Sequence, residues 1–186
     1  MYNTLNLACA TGICIVEAVV IIPFVKVYTG GITDADYLRR GFAYIMILAQ
    51  WFYCIRMPYV NTINAAGHYK QTKAGAFMEA LLNILISVLA LKRFGLPGVA
   101  LGTAVAMCAR SIYMAWYLSR NILYRKTIYF IKETIINGVF GIMLVYILSI
   151  AIKIPATNLF VWGLYSAMIC IITVFAVILF NIITNK

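Results

Sequence analysis

Residues 74–118 decide the fold: AGAFMEALLNILISVLAL (74–91), then KRFGLP (92–97), then GVALGTAVAMCARSIYMAWYL (98–118). Each apolar run is close to the roughly 20 residues that cross a bilayer as a helix. The break between them has turn chemistry, with Gly95 and then Pro97 at a helix start, where the missing N–H costs nothing. Two such runs, joined so tightly, predict an antiparallel pair of membrane helices.

The same pattern repeats on both sides. Apolar segments cover about 5–28, 41–66, 134–152 and 159–183. With the central pair they predict an all-α fold, a polytopic membrane bundle of about six transmembrane helices. The polar breaks are 29–36, a short basic loop at 67–73, a longer one at 119–133 and a turn at 154–158. Ile128, Tyr129, Phe130 and Ile131 give the 119–133 break the composition of a short interfacial helix.

Composition agrees. The chain is 65% hydrophobic and 11% charged, whereas a soluble domain is nearer half apolar and a quarter charged. The net charge of +10 would point to nucleic acid in a soluble protein. Here the cations flank apolar spans, where they anchor helix ends at the headgroups, and no nucleic-acid partner is expected. The amino terminus lacks a signal-peptide pattern, because no basic residue precedes Lys26 and Glu17 interrupts the apolar run. With 67–73, 119–133 and the carboxyl terminus inside, seven Lys and Arg lie on the cytoplasmic side and six opposite. The positive-inside rule therefore favours this orientation by one residue.

No enzyme motif is present: no HExxH, G-x-S-x-G or P-loop. Cys9, Cys14, Cys54, Cys108 and Cys170 sit in apolar stretches without CxxC spacing, and His68 is the single histidine. Neither catalysis nor a metal or other cofactor is expected.

The informative residues are the ionisable ones inside spans: Glu17, Arg56, Glu79 and Arg110. A charge near a helix centre costs roughly 2.5–3.5 kcal/mol on the insertion scale, so each requires a partner or water. Counted from the cytoplasmic ends, Glu79 lies about one and a half turns in, Arg110 two, and Arg56 and Glu17 three. They form one layer. Gly75, Glu79, Asn83 and Ser87 make a polar stripe on the third span. Gly98, Gly102, Ala106 and Arg110 make a small-residue stripe ending in a guanidinium on the fourth. On the second span Gln50, Tyr53, Asn61 and Asn64 share a face with Arg56 at its edge, and Pro58 predicts a kink. The candidate cavity residues are Arg56, Arg110, Glu79, Asn83, Asn61 and Asn64. Two readings are open: Glu–Arg pairs that hold the bundle together, or guanidinium groups that receive an anion.

The run Pro23-Phe-Val-Lys-Val-Tyr-Thr-Gly-Gly31, then Ile63-Asn-Ala-Ala-Gly-His-Tyr-Lys-Gln-Thr72, Glu79-Ala-Leu-Leu-Asn83 and Phe94-Gly-Leu-Pro-Gly-Val-Ala-Leu-Gly-Thr103 resembles the carboxyl-terminal portion of bacterial polysaccharide-biosynthesis membrane proteins. These are oligosaccharide repeat-unit flippases of the multidrug/oligosaccharidyl-lipid/polysaccharide exporter superfamily. The match spans about residues 23–125. It implies a partial lobe of a two-lobe transporter: four helices of the carboxyl-terminal lobe in 1–125 and two accessory helices in 126–186. It further implies a bacterial cytoplasmic membrane, an undecaprenyl-pyrophosphate-linked oligosaccharide as cargo, and alternating access between lobes. By that pattern the facing wall belongs to a missing amino-terminal lobe or a partner chain, and this chain is a fragment or part of a longer transporter. The alternatives are a fragment of a multidrug or cation antiporter, and a non-transporting membrane accessory protein.

Overall fold

The computed structural model describes residues 2–30, 38–124, 126–152, 154 and 158–184. Six long helices account for nearly all of them: α1 (Tyr2–Tyr28), α2 (Arg40–Ala65), α3 (Tyr69–Phe94), α4 (Leu96–Asn121), α5 (Ile128–Ala151) and α6 (Leu159–Thr184). No strand occurs among the described residues. The chain is a polytopic helical membrane bundle. Five of the six helices are long and apolar enough to cross a bilayer on their own composition. The exception is α2, equally long but diluted by Gln50, Arg56, Asn61 and Asn64.

Several helices run further than hydropathy predicts. The basic loop at 67–73 shrinks, because α3 starts at Tyr69 and carries Lys70 and Lys73 on its first turns. Gly67, with φ of 80°, makes the reversal in a region that glycine enters without steric cost. No separate interfacial helix forms at 128–131; those residues are the first turn of α5. Apolarity identifies only the membrane-embedded part of a helix, and the backbone continues hydrogen bonding into the headgroup zone. The predicted loop at 29–36 and turn at 154–158 lie largely outside the described residues.

The packing has two groups. In the first, α4 lies between α2 and α3. The α3–α4 turn is Gly95 alone, with φ of 65°. Close approach follows from the small residues: a Cβ on Gly98 would clash with the Ala90 carbonyl group, 2.6 Å from its carbon, and one on Gly102 would meet the Ser87 nitrogen at 2.8 Å. In the second, α5 and α6 both pack on α1. Ile15, Val19 and Val20 of α1 bury against Leu148 of α5 and Ile169 and Val177 of α6, and Phe140 stacks on Phe180 at 3.9 Å. The groups meet where α1 packs on α2, through Leu7, Ala10 and Ile55.

Helix α2 continues unbroken through Pro58. Proline cannot donate to the carbonyl four residues back, which frees the Cys54 oxygen. Asn6 Nδ2 of α1 donates to that oxygen at 2.9 Å. In α1, Pro23 frees the Val19 carbonyl in the same way, and the neighbouring Val20 carbonyl accepts from Trp162 Nε1 at 3.2 Å. In hydrocarbon an unpaired carbonyl costs several kcal/mol, so Pro58 is answered by a side chain from another helix.

Candidate functional site

Hairpin register sets the site. Glu79 lies 16 residues before Gly95 and Arg110 lies 15 after it. At about 1.5 Å per residue the two differ in depth by only about 1.5 Å. Arg56 and Glu79 stand 11 and 12 residues from Gly67 in the same way. Three consecutive helices therefore deliver a guanidinium, a carboxylate and a second guanidinium to one level.

The side chains meet. Arg56 Nη1 donates to Glu79 Oε1 at 2.7 Å, and Arg110 Nη1 donates to Glu79 Oε2. Their side chains are 5%, 14% and 14% exposed for Arg56, Glu79 and Arg110, so solvent screens the cluster little. The Arg56 guanidinium also lies 4.8 Å from the Tyr53 ring centroid, a cation–π distance. Two cations on one anion leave a net positive charge. Arg110 Nε is buried and finds no hydrogen-bond partner among the described residues.

Beyond Glu79 the α3 stripe continues as a polar seam. Asn83 Oδ1 accepts from Ser87 Oγ at 2.9 Å and from Thr103 Oγ1 at 3.3 Å. Asn83 thus bonds within the α3–α4 seam, one turn from the ion cluster. Thr103 completes that seam although it lies off the Gly98–Gly102–Ala106 stripe; its hydroxyl one residue beyond Gly102 was the available signal.

The remaining candidates lie elsewhere. Asn64 Oδ1 accepts from Thr72 Oγ1 at 2.9 Å and ties the end of α2 to the start of α3. Asn61 is exposed on α2. Neither touches the cluster. Arg56, read from the helical wheel as an edge residue of its face, is 4% exposed and turns inward to α3. Glu17 separates from the layer: it is exposed on α1 and makes no ion pair among the described residues. His68 is half-buried, its Nδ1 2.6 Å from the Tyr117 hydroxyl. Among the described residues no group of three or more His, Cys, Asp or Glu side chains is placed to hold a metal.

No protein-family model matches the chain, and no curated protein or solved structure matches it. The functional reading therefore rests on the motifs quoted above and on the chemistry of this cluster.

Proposed function

We propose that the chain forms part of a membrane transporter for an anionic lipid-linked oligosaccharide, acting in the bacterial cytoplasmic membrane as one section of a longer flippase or beside a partner chain. The observation that carries this reading is the excess positive charge of the Arg56–Glu79–Arg110 cluster, with Arg110 Nε left unbonded at bilayer depth. A buried guanidinium with spare donors suits a phosphate or pyrophosphate oxygen. In this reading Glu79 holds both guanidinium groups in place between turnovers. The order of the four quoted motifs supports the same assignment.

A second reading has its own observation. Both Glu79 oxygens are occupied and Arg56 is 4% exposed, as a purely structural clamp requires. That reading makes the chain a non-transporting membrane accessory protein.

One experiment separates them. Arg110→Ala and Arg56→Ala are placed in the complete transporter, with export of lipid-linked sugar and membrane protein level measured together. Loss of export at unchanged protein level supports transport. Normal export in both variants refutes it, and loss of the protein itself favours the clamp.

A further inference from the structure

Four ionisable residues occupy the middle of the spans, and three of them satisfy one another in the cluster. Glu17 is the fourth. It lies 11 residues before the end of α1 at Tyr28, about 16 Å deep. A carboxylate at that depth facing lipid is costly. It lines a groove of about 470 Å³ between α1 and α2, shared with Arg39 at the mouth and Gln50 beside it.

Gln50 stands 10 residues into α2, hence at nearly the same depth as Glu17, and is exposed. Among the described residues its Nε2 reaches only the Cys54 sulfur, at 3.7 Å, a weak acceptor. The other outward faces are different in kind. On α3, Leu81, Ile84, Leu85 and Val88 are exposed, and on α6 Ile171 and Phe175. These suit lipid; the α1/α2 face, with an acceptor and a donor side by side, does not.

We propose that this face is an interface with a second copy of the chain, closed by reciprocal Glu17–Gln50 hydrogen bonds. A twofold axis along the membrane normal keeps depth and exchanges the copies, so each carboxylate meets the other copy's amide. The patch is its own complement, which favours a second copy over an unlike chain. A patch of acid alone would call for a cation-bearing partner. Interhelical hydrogen bonds of this kind drive association where hydrophobicity cannot, since lipid tails are as apolar as leucine.

The test uses the whole chain in lipid bilayers. Dimer content is followed by single-molecule photobleaching as protein is diluted into lipid. The wild type dimerises; Glu17→Leu and Gln50→Leu each weaken association by about tenfold, and Glu17→Gln, which retains an acceptor, weakens it less. In a background with all five cysteines replaced, Met46→Cys on the groove wall forms a disulfide-linked dimer, and Leu85→Cys on the α3 outer face does not. A wild type that stays monomeric overturns the proposal. So does a dimer that survives both leucine substitutions, one that links through position 85, or one that fails to link through position 46. Glu17 and Gln50 lie outside the cluster and the readout is association, so failure here leaves the transport reading untouched, and the reverse also holds.

Discussion

The α2–α3–α4 group and the α1–α5–α6 group use helices of nearly equal length, but they cohere by different forces. In the first, glycines bring backbones together and polar side chains bond across the gap: Glu79 with two arginines, Asn83 with Thr103, and Ser87 with the Val99 carbonyl. In the second, Ile15, Val19, Leu148 and Ile169 interlock without an ion pair among the described residues. In water the apolar group would be the stronger. In lipid the hydrophobic drive between helices vanishes, and packing and hydrogen bonds decide. The polar group is thus the rigid one, and it holds the candidate site.

The largest effect that distinguishes the two groups falls on Glu79. Glu79→Leu leaves two buried guanidinium groups facing each other without their anion. Removing one partner of a buried ion pair costs roughly 3–5 kcal/mol, and the thermal midpoint in detergent falls accordingly. Glu17→Leu, a carboxylate lost at similar depth from the other group, leaves the midpoint of the monomer nearly unchanged. Equal losses would show that the cluster contributes nothing special.

Glycine substitutions sharpen the contrast at smaller scale. Gly102→Ala drives a methyl into the Ser87 backbone and costs about 1–3 kcal/mol, the usual range for overpacking. Gly12→Ala places the same methyl 3.8 Å from Val177 Cγ2, an ordinary contact, and stabilises by up to about 1 kcal/mol through helix propensity. Opposite signs are expected in thermal melts of the two variants. Ile169→Ala then measures the apolar group directly. It opens a cavity at a fully buried position without the water-to-core transfer loss, so about 1–2 kcal/mol is expected rather than the larger values of soluble cores.

What the sequence discloses follows the same division. The α3–α4 hairpin is legible because its turn is a single glycine: once Gly95 is placed, the stripes Gly75–Ser87 and Gly98–Arg110 must face each other at known depth. Arg56 follows through the three-residue turn around Gly67. Glu17 is not legible in this way. Its helix is joined to α2 by a longer segment, and equal depth says nothing about which way a side chain points around the helix. The packing of α5 and α6 on α1 is also hidden, because uniformly apolar helices such as α6 have no polar stripe to mark a face. Residues 128–131 mislead for a related reason: their aromatic and aliphatic character fits the interface equally well as a separate helix or as the first turn of α5.

The smallest predicted effect tests the joint between the groups. Asn6 Nδ2 donates to the Cys54 carbonyl that Pro58 leaves free. Asn6→Leu removes that donor and costs about 0.6 kcal/mol, the average for a hydrogen bond between membrane helices. The assignment predicts more than this number. In a Pro58→Ala background residue 58 has its own N–H to give, the Cys54 carbonyl is satisfied within α2, and Asn6→Leu costs close to nothing. A double-mutant cycle on thermal or denaturant unfolding reads the coupling between positions 6 and 58, residues on different helices that are linked through one backbone oxygen. Additive losses would mean that Asn6 steadies α1 by some other contact. Non-additive losses would establish that the proline in α2 is the reason α1 carries an asparagine there, and that the rigid and apolar groups are fastened through a backbone defect.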